Sequence, residues 1–79
     1  MDELIGFVTG NSNRQKLLEL LGSKNKIDGE RISKTMHIAR PVTDKILEEL
    51  VGKELIAKEG ELYQLTELGT TVERRIHNI

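Results

Sequence analysis

The chain contains a single proline, Pro41, and that residue constrains the fold more than any other. Proline has no amide hydrogen and holds φ near about −65°, so it fits the first turn of a helix and breaks a helix interior. It also biases the preceding residue away from the helical region. Arg40 is therefore read as an N-cap, and a helix is predicted from Pro41 to about Gly52. At about 100° per residue, Thr43, Ile46, Leu47 and Leu50 fall on one side of this helix, while Val42, Asp44, Lys45, Glu48 and Glu49 point elsewhere. Residues 28–36 predict a second, shorter helix just upstream. Asp28 can cap it by accepting from free backbone N–H groups, Ile27 and Ile32 match a hydrophobic staple, and Ile32 and Met36 share a face. Only His37-Ile38-Ala39 separates the two helices, which is the spacing of a helix-turn-helix over about residues 28–52.

The flanking segments complete one domain over residues 1–79. Residues 2–9 place Leu4, Ile5 and Val8 on a short helical face that Gly10 can end; the alternation Ile5, Phe7, Thr9 also fits a strand, and the helix is preferred. A helix over 12–22 carries Leu17, Leu18, Leu20 and Leu21, with Asn11 or Ser12 as cap, Gly22 as stop and Ser23–Lys26 as a polar loop. Leu55–Lys58 and Leu62–Leu65 are strand-like, and the glycine-centred Glu59-Gly60-Glu61 joins them as a hairpin over about 55–65. Thr66 can cap a last helix over about 66–78, striped by Leu68, Val72, Ile76 and Ile79. The expected class is mainly α with a small antiparallel β-hairpin.

Composition excludes several functions. Leu, Ile, Val and Phe supply 24 of 79 residues, too many for a disordered chain. Phe7 and Tyr63 are the only aromatics, so a base-stacking RNA module lacks its platform. Without cysteine there are no disulfides, thiol nucleophiles or zinc fingers, and His37 and His77 lack a metal-ligand spacing. No phosphate-binding glycine loop or activated serine is present, and 79 residues enclose a substrate-sized pocket with difficulty. The expectation is a protein that is not an enzyme and takes no cofactor and no metal. No apolar run approaches a membrane span, and the start Met1-Asp2-Glu3 is acidic where a signal peptide is basic, so a cytoplasmic location and no membrane partner are expected.

Several stretches, in order, resemble the winged helix-turn-helix transcriptional regulators of archaea and bacteria, the MarR- and ArsR-like group. Arg14 to Leu21 resembles the opening Arg-x-x-Ile/Leu-Leu-x-x-Leu helix, and Ile32 to Ile38 the supporting helix and turn. Arg40 to Leu50 resembles the recognition helix, Gly52-Lys53-Glu54-Leu55-Ile56 its exit into the wing, and Tyr63-Gln64-Leu65-Thr66-Glu67-Leu68-Gly69 the Tyr-x-Leu-Thr-x-x-Gly run after the wing. The resemblance covers roughly residues 12–70 and implies a winged helix acting in transcription regulation. Two positions depart from it. Ala39 and Arg40 stand where the group often has Ser or Thr, and the wing tip Lys58-Glu59-Gly60-Glu61 is acidic where groove-gripping wings carry Arg or Lys.

The net charge of −1 conceals a division. Residues 14–45 carry eight basic and four acidic side chains, and the remainder carries four basic and nine acidic. Because salt screens charge beyond about 8–10 Å, a distant acidic face subtracts little from a local basic one. The start of a recognition helix reaches base edges, so Arg40 is the first candidate DNA contact, its guanidinium suited to guanine O6 and N7. Thr43, Lys45 and Val42 follow, Lys45 toward phosphate or base and Val42 toward a thymine methyl. Asp44 can accept from cytosine N4 or repel phosphate. Lys34, Arg31, Arg14 and the wing residue Lys58 are candidates for positioning the backbone. Each has a plainer role: a solvated cation, a packing contact for Val42, a carboxylate partner for Arg14. Leu4, Ile5 and Val8, with Leu68, Val72 and Ile76, are expected either to form a homodimer contact or to cover the core. The expected function is double-stranded DNA binding in transcription regulation; the alternative is a winged helix that docks a protein partner in a regulatory assembly.

Overall fold

The computed structural model describes residues 1–78; the expected contribution of Ile79 to the last stripe lies outside the described residues. In chain order the elements are α1 (Asp2–Thr9), α2 (Ser12–Lys24), β1 (Ile27–Asp28), α3 (Gly29–Met36), α4 (Arg40–Gly52), β2 (Ile56–Glu59), β3 (Leu62–Leu65) and α5 (Glu67–His77). The caps form where local chemistry supplies them. Asn11 Oδ1 accepts from the Asn13 and Arg14 amides at 2.9 and 3.1 Å and starts α2, and Thr66 Oγ1 accepts from the Gly69 amide at 2.9 Å and starts α5.

Two boundaries differ from expectation. Helix α2 continues through Gly22 to Lys24, and Asn25, at φ 72°, ends it. Gly22 is small for a different reason: a Cβ there would meet Glu73 Oε1 of α5 at 2.8 Å, so the glycine admits the neighbouring helix. At α4 the cap is Ala39, with extended backbone, so Arg40 rather than Pro41 is the first helical residue.

The expected hairpin is part of a three-stranded antiparallel sheet in the order β1-β3-β2. Ile27 pairs with Tyr63 and Asp28 with Leu62, while Ile56 to Glu59 pair with Leu65 to Leu62 in turn. A two-residue connection, Gly60-Glu61, closes the hairpin, and Gly60 takes φ 62° at the first position, where a side chain is disfavoured. The sheet is tied to α5 at one point. Thr66 Oγ1 donates to the Glu54 carbonyl at 2.7 Å, and a Cβ at Gly69 would overlap the Leu55 carbonyl oxygen, so no side chain fits there.

One core joins all five helices to the sheet. Leu17, Leu18 and Leu21 of α2 meet Ile46, Leu47 and Leu50 of α4, with Ile32 of α3, Leu55 and Ile56. Val8 of α1 and Val72 of α5 have no exposed surface, and Ile76 is also buried. Of the two roles expected for the terminal apolar residues, core cover is seen for Val8, Val72 and Ile76, and Leu4, Ile5 and Leu68 pack half-buried against that core. Apolar side chains on short terminal helices must be covered, and here α1 and α5 cover each other. No helix among the described residues is long and apolar enough to cross a membrane.

Candidate nucleic-acid interface

The turn between α3 and α4 is fixed from both sides. Asp28 Oδ2 accepts from the Arg31 amide at 3.3 Å and caps α3. At the other end His37 adopts the left-handed conformation (φ 57°), and the amides of His37 and Ile38 donate to the Lys34 and Ser33 carbonyls. The Ser33 hydroxyl then donates to the Ile38 carbonyl at 2.6 Å and closes the loop. The turn delivers an extended Ala39, whose carbonyl accepts from the amides of Val42 and Thr43 at 3.1 and 3.0 Å. With Met36 and Ile38 packed on the core, the first turn of α4 has a fixed direction.

Thr43 is no contact residue. It has no exposed surface, and its hydroxyl donates to the Ala39 carbonyl at 3.3 Å. It lies on the face of α4 that also buries Ile46, Leu47 and Leu50. Arg14 also leaves the candidate set. Its Nε and Nη2 donate to the two carboxylate oxygens of Glu49 at 3.2 and 3.0 Å, and its Nη1 donates to the Phe7 carbonyl at 2.9 Å. Its guanidinium stacks 4.0 Å from the Phe7 ring centroid, and only 20% of the side chain is exposed. This fork spends its donors inside the protein, where it joins α1, α2 and α4. The hydrogen bond from Arg14 holds the Glu49 carboxyl below its ordinary range; partial burial opposes the effect, and the charges of Arg14 and Lys45 add to it.

The exposed face of α4 carries Arg40, Val42, Asp44, Lys45 and Glu48. Arg40 Nε donates to Asp44 Oδ1 at 2.8 Å, one helical turn along. That hydrogen bond raises the Arg40 pKa from an already high value; desolvation opposes it, and the negative charges of Asp44 and Glu30 add to it. The cation is permanent, and the Asp44 carboxylate is engaged with it. Lys45 is exposed and has no ion-pair partner among the described residues. On α3, Arg31 is exposed and Lys34 pairs with Glu30 at 3.3 Å. On the wing, Lys58 Nζ lies 5.8 Å from the Tyr63 ring centroid and lines a polar hollow with Arg40, Gly29, Glu30 and Glu61. The fold thus brings Arg40, Val42 and Lys45 together on one helix, sets Lys58 beside Arg40, and leaves Arg31 and Lys34 exposed on the preceding helix.

Sequence reasoning missed Gly29. An ideal Cβ at that position would lie 2.9 Å from Arg40 Nη2, so the guanidinium rests over a residue without a side chain. The available signal was glycine in the first position of a helix, where most other residues favour the helix more. Among the described residues no three His, Cys, Asp or Glu side chains gather into a metal-binding group.

The fold is shared with known structures. No family model matches the sequence, and no curated protein matches it. Rv1404 of Mycobacterium tuberculosis superposes with a TM-score of 0.79 at 24% identity, over 94% of this chain and 56% of that one. The MarR family protein Rv2887 of the same organism gives 0.73 at 14% identity, over 78% of this chain and 47% of that one. CouR, a transcriptional repressor bound to p-coumaroyl-CoA, gives 0.76 at 24% identity, over 84% of this chain and 49% of that one. The fold is the winged helix of the MarR-family regulators. Within that fold, α3 and α4 form the helix-turn-helix and β2–β3 the wing. The winged helix described here spans about half the length of the structures it matches.

Proposed function

We propose that this winged helix binds double-stranded DNA as a transcription regulator and places the first turns of α4 in the major groove. The observation that carries the reading is the fixed turn from Ser33 to Ala39, which presents Arg40, Val42 and Lys45 together on the exposed start of α4. Arg40 and Val42 address base edges, Lys45 addresses phosphate or base, and Arg31, Lys34 and Lys58 address the backbone. Two cations of this surface, Arg40 and Lys34, already pair with Asp44 and Glu30, so binding is modest in strength, and because phosphate contacts carry it, it depends on salt. The acidic wing tip argues against insertion into a minor groove.

Fluorescence anisotropy with a labelled mixed-sequence duplex tests the reading. Binding is expected at about 50 mM salt and is largely lost by about 200 mM. Lys45→Ala is expected to weaken binding across sequences and to lower the slope of log affinity against log salt by about 1. A wild-type chain that binds no duplex at about 50 mM salt overturns the reading. The protein-docking alternative has its own test, recovery of a stoichiometric protein partner that nuclease treatment does not release.

A further inference from the structure

Asp44 stands on the candidate reading face, yet its charge is wrong for a phosphate contact, since a carboxylate beside a phosphodiester is repelled. Its geometry supplies a different role. Its Oδ1 accepts from Nε of Arg40 at 2.8 Å, and this is the only hydrogen bond the Arg40 side chain makes among the described residues. A guanidinium has five donors in a planar fork. Taking the Nε hydrogen leaves both terminal nitrogens, four N–H groups in all, without a protein acceptor. The plane of the fork is nevertheless restrained, held at Nε by Asp44 and supported on its Nη2 side by the bare backbone of Gly29. Both side chains of the pair are about half exposed, so the fork is open to a ligand from solvent. Arg14 shows the contrast, with Nε, Nη1 and Nη2 all donating to protein oxygens.

We infer that Asp44 is a positioning residue which, with Gly29 as the floor, sets the terminal nitrogens of Arg40 to read the O6 and N7 acceptors of one guanine, making this contact the main source of sequence discrimination. The inference rests on the DNA-binding reading above and extends it to a base. A guanidinium held at Nε loses less freedom when it makes a bidentate contact, and a bidentate contact to guanine discriminates by about tenfold to a hundredfold. Asp44 thus favours one base while reducing affinity for duplex in general.

Selection of the wild-type chain on a randomised duplex pool supplies a bound sequence. Anisotropy then compares three duplexes: the selected one, the same with its most constrained guanine changed to adenine or to 7-deazaguanine, and a scrambled one. Wild type is expected to lose about tenfold to a hundredfold on either change. Asp44→Ala is expected to discriminate by less than about threefold while its affinity for the scrambled duplex rises about twofold, because a repelling carboxylate is gone. Arg40→Ala loses the same discrimination but binds the scrambled duplex more weakly. Gly29→Ala pushes the guanidinium aside with no change of charge; it is expected to lose discrimination at an unchanged or raised melting temperature, which separates positioning from folding. If Asp44→Ala and Gly29→Ala both keep wild-type discrimination, the positioning role is wrong. A wild type that binds duplex without a guanine preference overturns the inference and leaves the DNA reading standing. A wild type that binds no duplex overturns the DNA reading and the inference with it.

Discussion

Arg14 and Arg40 each hold a carboxylate of α4, Arg14 from the neighbouring α2 and Arg40 from within the helix itself. Arg14 stacks on Phe7, donates to the Phe7 carbonyl and both oxygens of Glu49, and is mostly covered. Arg40 donates once, to Asp44, and is half exposed above a glycine. Both are arginines, and both partners are carboxylates borne by α4. What differs is how many donors the fold consumes, and that number separates an arginine that holds the structure together from one that remains available to a ligand.

The largest expected effect breaks the comparison by truncating each arginine in turn. Arg14→Ala leaves the Phe7 carbonyl and the Glu49 carboxylate without their partner and uncovers the Phe7 ring, so the melting temperature is expected to fall on the order of 10 °C. Arg40→Ala removes one exposed pair and is expected to change it by no more than about 2 °C. Thermal denaturation followed by circular dichroism distinguishes the two, and equal losses would mean that the difference in donor use has no consequence for stability.

The same contrast marks what could be read from the sequence. The caps at Asn11, Asp28 and Thr66 were legible because a cap and the amide it binds lie within three residues. The spacing from α3 to α4 was legible for the same reason, as was the inward side of α4, where Thr43 falls on the apolar arc that the structure buries. What was hidden depends on distant partners. Strand β1 has two residues and no periodicity of its own, and exists because Tyr63 and Leu62 come alongside. Gly22 resembles a helix stop until Glu73 is seen to pack on it. Arg14 looks like a surface cation until Glu49, 35 residues away, closes on it. The Arg40–Asp44 pair lies within one helical turn, so its spacing is legible in the sequence, whereas the glycine beneath the guanidinium comes from the preceding helix.

A pH titration sharpens the comparison on the Arg14 side. The hydrogen bond from Arg14 lowers the Glu49 pKa in the folded protein beneath its ordinary value of 4.5. The unfolded chain therefore binds more protons in that window, and stability rises with pH across it. The contribution is complete above pH 4.5 and is lost as pH falls through the lowered value. Glu49→Gln lacks this contribution. Its melting temperature is expected to lie below wild type at neutral pH, with the gap closing in acid; a gap that stays constant with pH would show that the pair does not titrate as described.

The smallest expected effect lies on the Arg40 side, where the acidic wing shares the hollow that holds Arg40, Lys58 and Glu61. If this flank of the wing runs beside a duplex, Glu61→Lys replaces a repelled charge with an attracted one. Affinity for mixed-sequence duplex is then expected to rise about two- to fivefold at low salt, and the salt slope to steepen by about 1. Glu61 is exposed at the hairpin turn and takes no part in the Arg14 cluster, so the melting temperature is expected to stay within about 1 °C of wild type. A change in binding without a change in stability would place the wing beside the duplex together with Arg40. Unchanged binding would confine the interface to α3 and α4 and leave the acidic wing outside it.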